Sequence, residues 1–520
     1  MDGVPGPPAA DPAGRRRPLW PRAVAAAAFA VGAVLLFRYE ARQELRVYGD
    51  AWEYWYQAES LHRHGSPELR PEDEEAVNRE AVRRGLGADP ARPYAYATAP
   101  DGRRYGVHFW AYALSAVPAR EYLRWTGGSE LAALRLANAG WFVLALGVAL
   151  FGSSAPLASR LALAGLAAVG PVVWYLQWTG AEVFSWALVL IAVVAYRDRR
   201  YGWAAAAAGL AATQNPPAAF LGAAAVAAAA WEGRWRAAAA AAAGAAVALL
   251  PFAFFQYHFG KPNLIAAEFA TVDNLAWVRT WGLATDFNQG LLPYAPLLVL
   301  GAAAGAVRLA AARDARGLLL LAAGGGMAVG VQVAHNWNSD CIGLQRYVVW
   351  MVPVAAGVAV EGVGRRWLGA FAAAAVAAHA AVLYGFHRTD GLKDGYLTHT
   401  PVAKWVLTHY PRAYWVEPEV FVERTVHRDN WPRTPADLPV GFERPDGTVS
   451  KLLLDAGSVG RVGERYEADP AYLAALTERA ARERGLFFAD PPAGAVRVRR
   501  PPNHPGSPGG VAAAPGGAGR

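Results

Sequence analysis

The chain is built from long apolar runs, rich in Ala, Leu, Val, Gly and Trp, separated by short arginine clusters. Runs of roughly 20 such residues match the hydrocarbon thickness of a bilayer. Lipid offers backbone amides no partner, so each run must satisfy its own hydrogen bonds as a helix. The short alternating segments of a β-barrel are absent. Hydrophobic types make up 54% of the 520 residues and charged types only 18%, below the roughly 25% of soluble domains. The fold expected is an all-α transmembrane bundle of about ten or eleven helices. It has a large first external loop and a small C-terminal extracytoplasmic domain.

The first span is expected at 20–37. Arg15, Arg16 and Arg17 before it resemble a signal peptide's start, but Arg38-Tyr39-Glu40 after it gives no small-residue cleavage site. It is therefore read as an uncleaved span. Further spans are expected near 131–151, 159–177, 182–196, 202–213, 217–231, 236–257, 291–310, 317–334, 347–363 and 367–386. The pair on either side of Gln214-Asn215-Pro216-Pro217 is short for a bilayer. Segment 107–123 is amphipathic and is expected to lie on the membrane surface. These divisions give a disordered cytoplasmic tail at 1–18 and a membrane domain at 19–386, with its first external loop at 38–130. A soluble domain follows at 387–500, with a helix over 468–484, and a second disordered tail at 501–520.

Arginine distribution sets the expected orientation. Arg160; Arg197, Arg199 and Arg200; Arg234 and Arg236; Arg308, Arg313 and Arg316; and Arg365 and Arg366 fall in alternate loops. Placing the N-terminus in the cytoplasm puts all five rich loops there. Loops 38–130, 258–290 and 335–346 and the C-terminal domain then face outward. The Lys+Arg total of 50 against Asp+Glu 42 is accounted for by these loops. No basic stripe interleaved with aromatics is present, so nucleic acid is not an expected partner. A single cysteine, Cys341, excludes an intrachain disulfide and argues against a cysteine-based zinc site.

The first outward segment carries the densest chemistry. It begins Gly49-Asp50-Ala51-Trp52-Glu53-Tyr54 and continues through Glu59-Ser60-Leu61 to Gly65. If 51–62 is helical, Asp50 sits where it can cap the free amides of the first turn. Asp50 and Glu53, three residues apart, then share a face. Two roles stay open: a cap with a first-turn acid, or a general base facing a cavity at the membrane surface. Farther on, Asp101-Gly102 marks a turn, and Tyr105 and His108 lead into the amphipathic segment.

These strings resemble the first external loop of the GT-C class of membrane glycosyltransferases, which use polyprenyl-phosphate sugars. Protein O-mannosyltransferases and lipid A aminoarabinose transferases are members. The run Asp101-Gly102-Arg103-Arg104-Tyr105-Gly106-Val107-His108 is similar to the entry to that class's interfacial helix. Asn288-Gln289-Gly290-Leu291-Leu292-Pro293-Tyr294-Ala295-Pro296 resembles a motif at a span start, and Trp337 through Arg346-Tyr347 and Pro353 a Trp-rich loop. The resemblance covers roughly 20–390, in order.

It implies that Asp50 deprotonates the acceptor hydroxyl, because an alcohol is a poor nucleophile without a positioned base. It implies that His108, Arg346 and Tyr105 steady the donor phosphate, where negative charge develops. Glu182, with Glu53, is the candidate second acid. Asp50, Glu53, Glu182 and Asp340 could hold a divalent cation through oxygens, although no local spacing requires one. The implied partners are a polyprenyl-phosphate-linked sugar, an extracytoplasmic acceptor and the bilayer. A transporter or lipid flippase, and a non-catalytic scaffold, stay open as alternatives. Transport calls for ionisable groups in mid-span, and His379 is the main one here. A reporter active only outside the cytoplasm should be active when fused after residue 128 and silent after residue 200; the reverse pattern would overturn the orientation.

Overall fold

A computed structural model describes residues 20–47, 49–87, 96–335, 337, 343–388, 397–428 and 437–499. The two tails expected to be disordered, and Asp340 and Cys341, lie outside these residues. The chain divides into two compact units. The first comprises 1–270, 300–331 and 349–377, and the second 271–299, 332–348 and 378–520.

Helices dominate the first unit; most follow the apolar runs, while those at 51–64 and 71–83 are polar. They are α1 (Trp20–Arg42), α2 (Ala51–His64), α3 (Pro71–Arg83), α4 (Ala111–Thr126), α5 (Ala133–Gly147), α6 (Leu157–Ala168) and α7 (Val172–Tyr175). Then come α8 (Glu182–Arg197), α9 (Tyr201–Ala212), α10 (Ala219–Trp231), α11 (Trp235–Ala245) and α12 (Leu250–Phe259). Five stretches among the described residues are long and apolar enough to cross a bilayer: Ala23–Arg42, Glu130–Gly152, Trp235–Phe259, Ala315–Val333 and Arg365–Gly385. Shorter apolar helices stand at Leu157–Ala168, Pro216–Trp231, Pro296–Ala311 and Val352–Gly362. The short pair α9 and α10 breaks at Gln214-Asn215-Pro216-Pro217 as expected, since proline cannot extend the preceding helix. Helix α4 starts at Ala111 rather than 107 because Arg104–Gly106 forms a strand.

Small residues let these helices approach closely. A Cβ added at Gly244 would stand 2.8 Å from the Ala206 amide nitrogen and 2.9 Å from the Gly202 carbonyl. Helices α9 and α11 therefore touch backbone to backbone, the packing that replaces the hydrophobic drive inside lipid.

One end of the unit is tied together by its arginines. Arg160 donates to Leu150 O at 2.6 Å, Arg200 to Gly152 O at 3.2 Å and Arg234 to Arg199 O at 3.1 Å. Arg308 donates to Gly362 O at 3.1 Å, and Arg197 pairs with Glu361 at 2.8 Å. The Tyr196 hydroxyl donates to Arg316 O at 2.8 Å. The five arginine-rich loops thus meet at a common end of the unit.

The second unit carries strands that the sequence reading did not anticipate. Strands β4 (Val440–Glu443), β5 (Val449–Leu454) and β7 (Phe487–Ala489) form an antiparallel sheet with β5 in the middle. Strands β6 (Tyr466–Ala468) and β8 (Val496–Val498) pair separately. The core comprises Val449, Leu452, Leu454, Val462, Leu476, Phe487 and Val496. The helix expected over 468–484 is present as Pro470–Ala480. It is capped by Asp469, whose carboxylate accepts from the Ala471 amide at 2.7 Å.

A buried polar network joins two loops of this unit to its later residues. Asp286 Oδ1 accepts from the amides of Asn288 at 2.7 Å and Gln289 at 2.8 Å, and the Tyr414 hydroxyl donates to it at 3.2 Å. Burial raises the Asp286 carboxyl above the usual range, and the Gln289 and Asn288 amides oppose that. Asn288 also accepts from the Thr400 amide at 3.1 Å. The Trp337 carbonyl accepts from Gln289 at 3.0 Å and from Gln345 at 2.5 Å.

Replacing Gly244 with Leu should cost about 1–3 kcal/mol through overpacking, read as a lower melting temperature of the purified full chain. Unchanged melting would contradict the close α9–α11 contact.

Candidate functional site

Helix α2 forms where the sequence predicts it, but it is almost entirely buried, from Ala51 to Leu61. Gly65 ends it in the left-handed conformation (φ 63°), donating its amide to Leu61 O at 3.0 Å. Beside it, β1 (Glu68–Leu69), β3 (Arg104–Gly106) and β2 (Tyr96–Thr98) form a small antiparallel sheet in that order. The hairpin turns at Asp101-Gly102, with Gly102 at φ 85°, as the dipeptide predicts. Strand β3 crosses α2 where it has no side chain. A Cβ on Gly106 would collide with the side chains of Gln57 and Glu53. That close passage delivers the next residues, Val107 and His108, to the start of α2.

Three groups converge there. The Glu53 carboxylate, with 2% of its side chain exposed, accepts from the His108 amide at 2.6 Å and meets His108 Nδ1 at 2.8 Å. Gln57 Nε2 donates to the same carboxylate at 3.1 Å and to the His108 carbonyl at 2.8 Å. On its other side the ring points Nε2 towards Asp50, 3.7 Å away. Asp50 is 38% exposed at the side chain and His108 24%. A buried acid thus orients a half-buried imidazole, which faces a solvent-accessible carboxylate.

The two structural roles left open for these acids are corrected. Asp50 occupies the N-cap position of α2, but its side chain makes no capping hydrogen bond. Only its carbonyl serves the helix, accepting from the Tyr54 amide at 3.2 Å. Glu53 is not a solvated first-turn acid; it is spent on His108. Burial raises its carboxyl above the usual range; His108 lowers it, and the charge of Asp50 raises it further.

A second layer surrounds the three groups. The Tyr54 ring lies 5.5 Å from the His108 ring and 5.0 Å, edge-on, from Tyr112. Burial pushes the Tyr54 hydroxyl well above the ordinary tyrosine range, and the charges of Glu53, Asp50 and Glu182 push the same way. A Cβ on Gly180 would meet a Glu182 carboxylate oxygen at 2.5 Å and would also collide with Trp178. The Trp178 ring lies against Gly49, 2.9 Å from the place of its missing Cβ. Asn138 donates to the Trp178 carbonyl at 2.7 Å and accepts from Tyr112 at 3.0 Å. Gln214, at the α9–α10 break, accepts from Tyr54 at 3.4 Å and donates to the Phe109 carbonyl.

The sequence-derived candidates divide as follows. Asp50, Glu53 and His108 come together, with Glu182 acting on the same tyrosine. Tyr105 instead points into an aromatic cluster: its ring stands 4.4 Å from His258, 5.5 Å from Phe254 and 5.9 Å from Phe259. Arg346 belongs to the second unit, where it opens the short helix Arg346–Val349 and donates to the Tyr347 hydroxyl at 3.3 Å. Gln57, Asn138, Gln214 and Gly106 were not anticipated. The polar Gln214-Asn215 pair between two apolar helices was the available signal.

One ligand atom from each of Asp50, Glu53 and His108 lies within 4.8 Å of the others. As a cation site this set is poor. Both Glu53 oxygens already face His108 donors, whereas a hard divalent cation takes about six or more oxygens. The groups fit better as an acid–imidazole pair, hydrogen-bonded at 2.8 Å, with a second acid 3.7 Å from the far side of the ring.

No protein-family model matches the chain, and no curated protein matches it. Among solved structures the chain is similar to the crystal structure of ArnT from Cupriavidus metallidurans bound to undecaprenyl phosphate, with 14% identity and a TM-score of 0.39. The likeness covers 77% of this chain and 68% of that one.

The raised Glu53 carboxyl has a stability consequence. A folded-state value above the unfolded one means that the native state loses stability as pH rises through the glutamate range toward that raised value. Glu53→Gln removes the titration and keeps an oxygen for the His108 amide. The variant should therefore gain in melting temperature relative to wild type as pH rises; a pH-independent difference would count against a buried, titrating Glu53.

Proposed function

We propose that this protein is a membrane glycosyltransferase that moves a sugar from a polyprenyl-phosphate donor to an acceptor outside the cytoplasm, with Asp50 as the general base. The observation that carries this reading is the Asp50 carboxylate: accessible, unused as a cap, and facing an imidazole that a buried acid holds in place. The ordered motif resemblance over roughly 20–390 supports the donor class.

The chemistry needs few parts. The acceptor hydroxyl gives its proton to Asp50 as its oxygen bonds to the sugar's anomeric carbon. The bond from that carbon to the phosphate oxygen breaks, and the electron pair leaves with the lipid phosphate. Phosphate is already a good leaving group, so catalysis consists of positioning the alcohol and stabilising charge. With Glu53 on Nδ1, the His108 ring presents Nε2 towards the reaction space. There the doubly protonated ring, its Nδ1–H already given to Glu53, can donate Nε2–H to a phosphate oxygen. Glu182, entering α8 beside Gly180, would orient the acceptor or sugar hydroxyls. Tyr105, held among aromatics, would contribute by fixing β3.

The lipid donor is confined to the bilayer, so the site must open at its surface. The proposed orientation puts the N-terminus and the arginine-rich end in the cytoplasm. The site and the C-terminal unit then lie outside, across the inner or plasma membrane.

The test is transfer of sugar from a polyprenyl-phosphate donor in lipid extracts, with wild type and Asp50→Asn. The variant should fold and melt normally yet lose activity by about 10²- to 10⁴-fold, the usual weight of a general base. Equal transfer by both proteins would dismiss the mechanism.

A further inference from the structure

At the arginine-rich end of the first unit, the bundle is notched by a cavity of about 410 Å³. It lies within the roughly 300–1,000 Å³ range of small-molecule sites. Three elements wall it: the π-turn Val148–Gly152 that ends α5, the last turns of α8, and the outer face of α9. Val148, Ile191, Val194, Ala206, Ala207 and Leu210 line its depth. Asp198, Arg200 and Trp203 stand at its mouth.

The position and lining limit what can occupy it. From Asp198 back to Ile191, and from Trp203 on to Leu210, the slot follows seven residues of helix, or about 10 Å. That is most of one leaflet's share of a hydrocarbon core roughly 30 Å thick. Its depth offers no polar group, and a held water needs two to four polar partners. Ala206 and Ala207 keep it open beside the π-turn that ends α5. The slot faces outward: Trp203 is 75% exposed, and Ala206, Ala207 and Leu210 are each half-buried.

Charge at the mouth narrows the choice further. Asp198 is occupied by Ser153 Oγ at 3.1 Å and by the Ser154 amide and hydroxyl, each at 3.0 Å. Arg200 gives one N–H to the Gly152 carbonyl at 3.2 Å and is otherwise exposed. Arg199 and Arg234 lie nearby, sharing Glu232 at 3.6 and 3.7 Å. An apolar slot with a guanidinium at its rim and an indole beside it fits a hydrocarbon tail that carries a phosphate.

We propose that this crevice binds one acyl chain of an anionic phospholipid from the leaflet at the arginine-rich end, with the lipid phosphate on Arg200. The site is distinct from the Asp50 cluster, which lies at the other end of α8, and does not depend on the transferase reading.

The experiment is native mass spectrometry of the purified full chain with added phosphatidylglycerol, phosphatidylcholine, glycerol phosphate or polyprenyl phosphate. Wild type should retain one phosphatidylglycerol, preferred over phosphatidylcholine by roughly fivefold, as one cation at a membrane surface gives. Glycerol phosphate, lacking a tail, should give no adduct. Ala207→Trp fills the slot and should abolish the retained lipid. Arg200→Gln, an exposed change that leaves the helices intact, should keep a lipid but level the two headgroups. Equal retention of both phospholipids by wild type, an unchanged preference in Arg200→Gln, or displacement of the lipid by polyprenyl phosphate would each overturn the proposal.

Discussion

A carboxylate taken out of water must be met by donors, and meeting Glu53 organises the first large loop. Its partners are the main chain and ring of His108, 55 residues later in sequence, and Gln57 one helical turn away. To bring His108 there, β3 has to cross α2 at close range, which only a glycine at 106 allows. The imidazole then has one orientation, and Asp50 is left facing solvent. Removing an acceptor at such a place leaves buried donors unsatisfied, which costs more than the hydrogen bond itself contributes.

The second unit repeats this device with different residues. Asp286 is buried, collects two amides just ahead of it in sequence, and takes the Tyr414 hydroxyl from 128 residues downstream. Asn288 extends the network to Thr400. The string Asn288-Gln289-Gly290, noticed in sequence for its resemblance to a motif, works here as a clasp between a loop and the residues after it. A polar string in a loop can therefore hold a unit together without touching any substrate.

The membrane part was legible because its information is local. An apolar run announces a helix, Pro216-Pro217 announces a break, and Asp101-Gly102 announces a turn, each within a few residues. Helix α2 and the helix Pro470–Ala480 were readable for the same reason. The pairing of His108 with Glu53 was not, because no periodicity links residues so far apart, and both seemed explicable alone. Asp50 is instructive: its place before a helix was right, but position alone does not say whether a side chain is used for capping. The strands were missed because they are short, three to six residues in most cases, and the longest, β5, is buried on both faces, so its alternation is weak. Gln214 and Asn138 sit among alanines and leucines, and nothing nearby in sequence shows what they face.

The arginines at the other end of the bundle do two jobs with one charge. As a set they carry the charge on which the proposed orientation rests. Individually, Arg160, Arg200, Arg234 and Arg308 close carbonyls that a helix end or tight turn leaves open. Lysine would preserve the first job but not the planar geometry of the second. The residues that carry the proposed insertion signal are therefore also part of the masonry that keeps its helices from fraying. Mutations that erode one would erode the other, so a misoriented form of this chain would also be a loosened one.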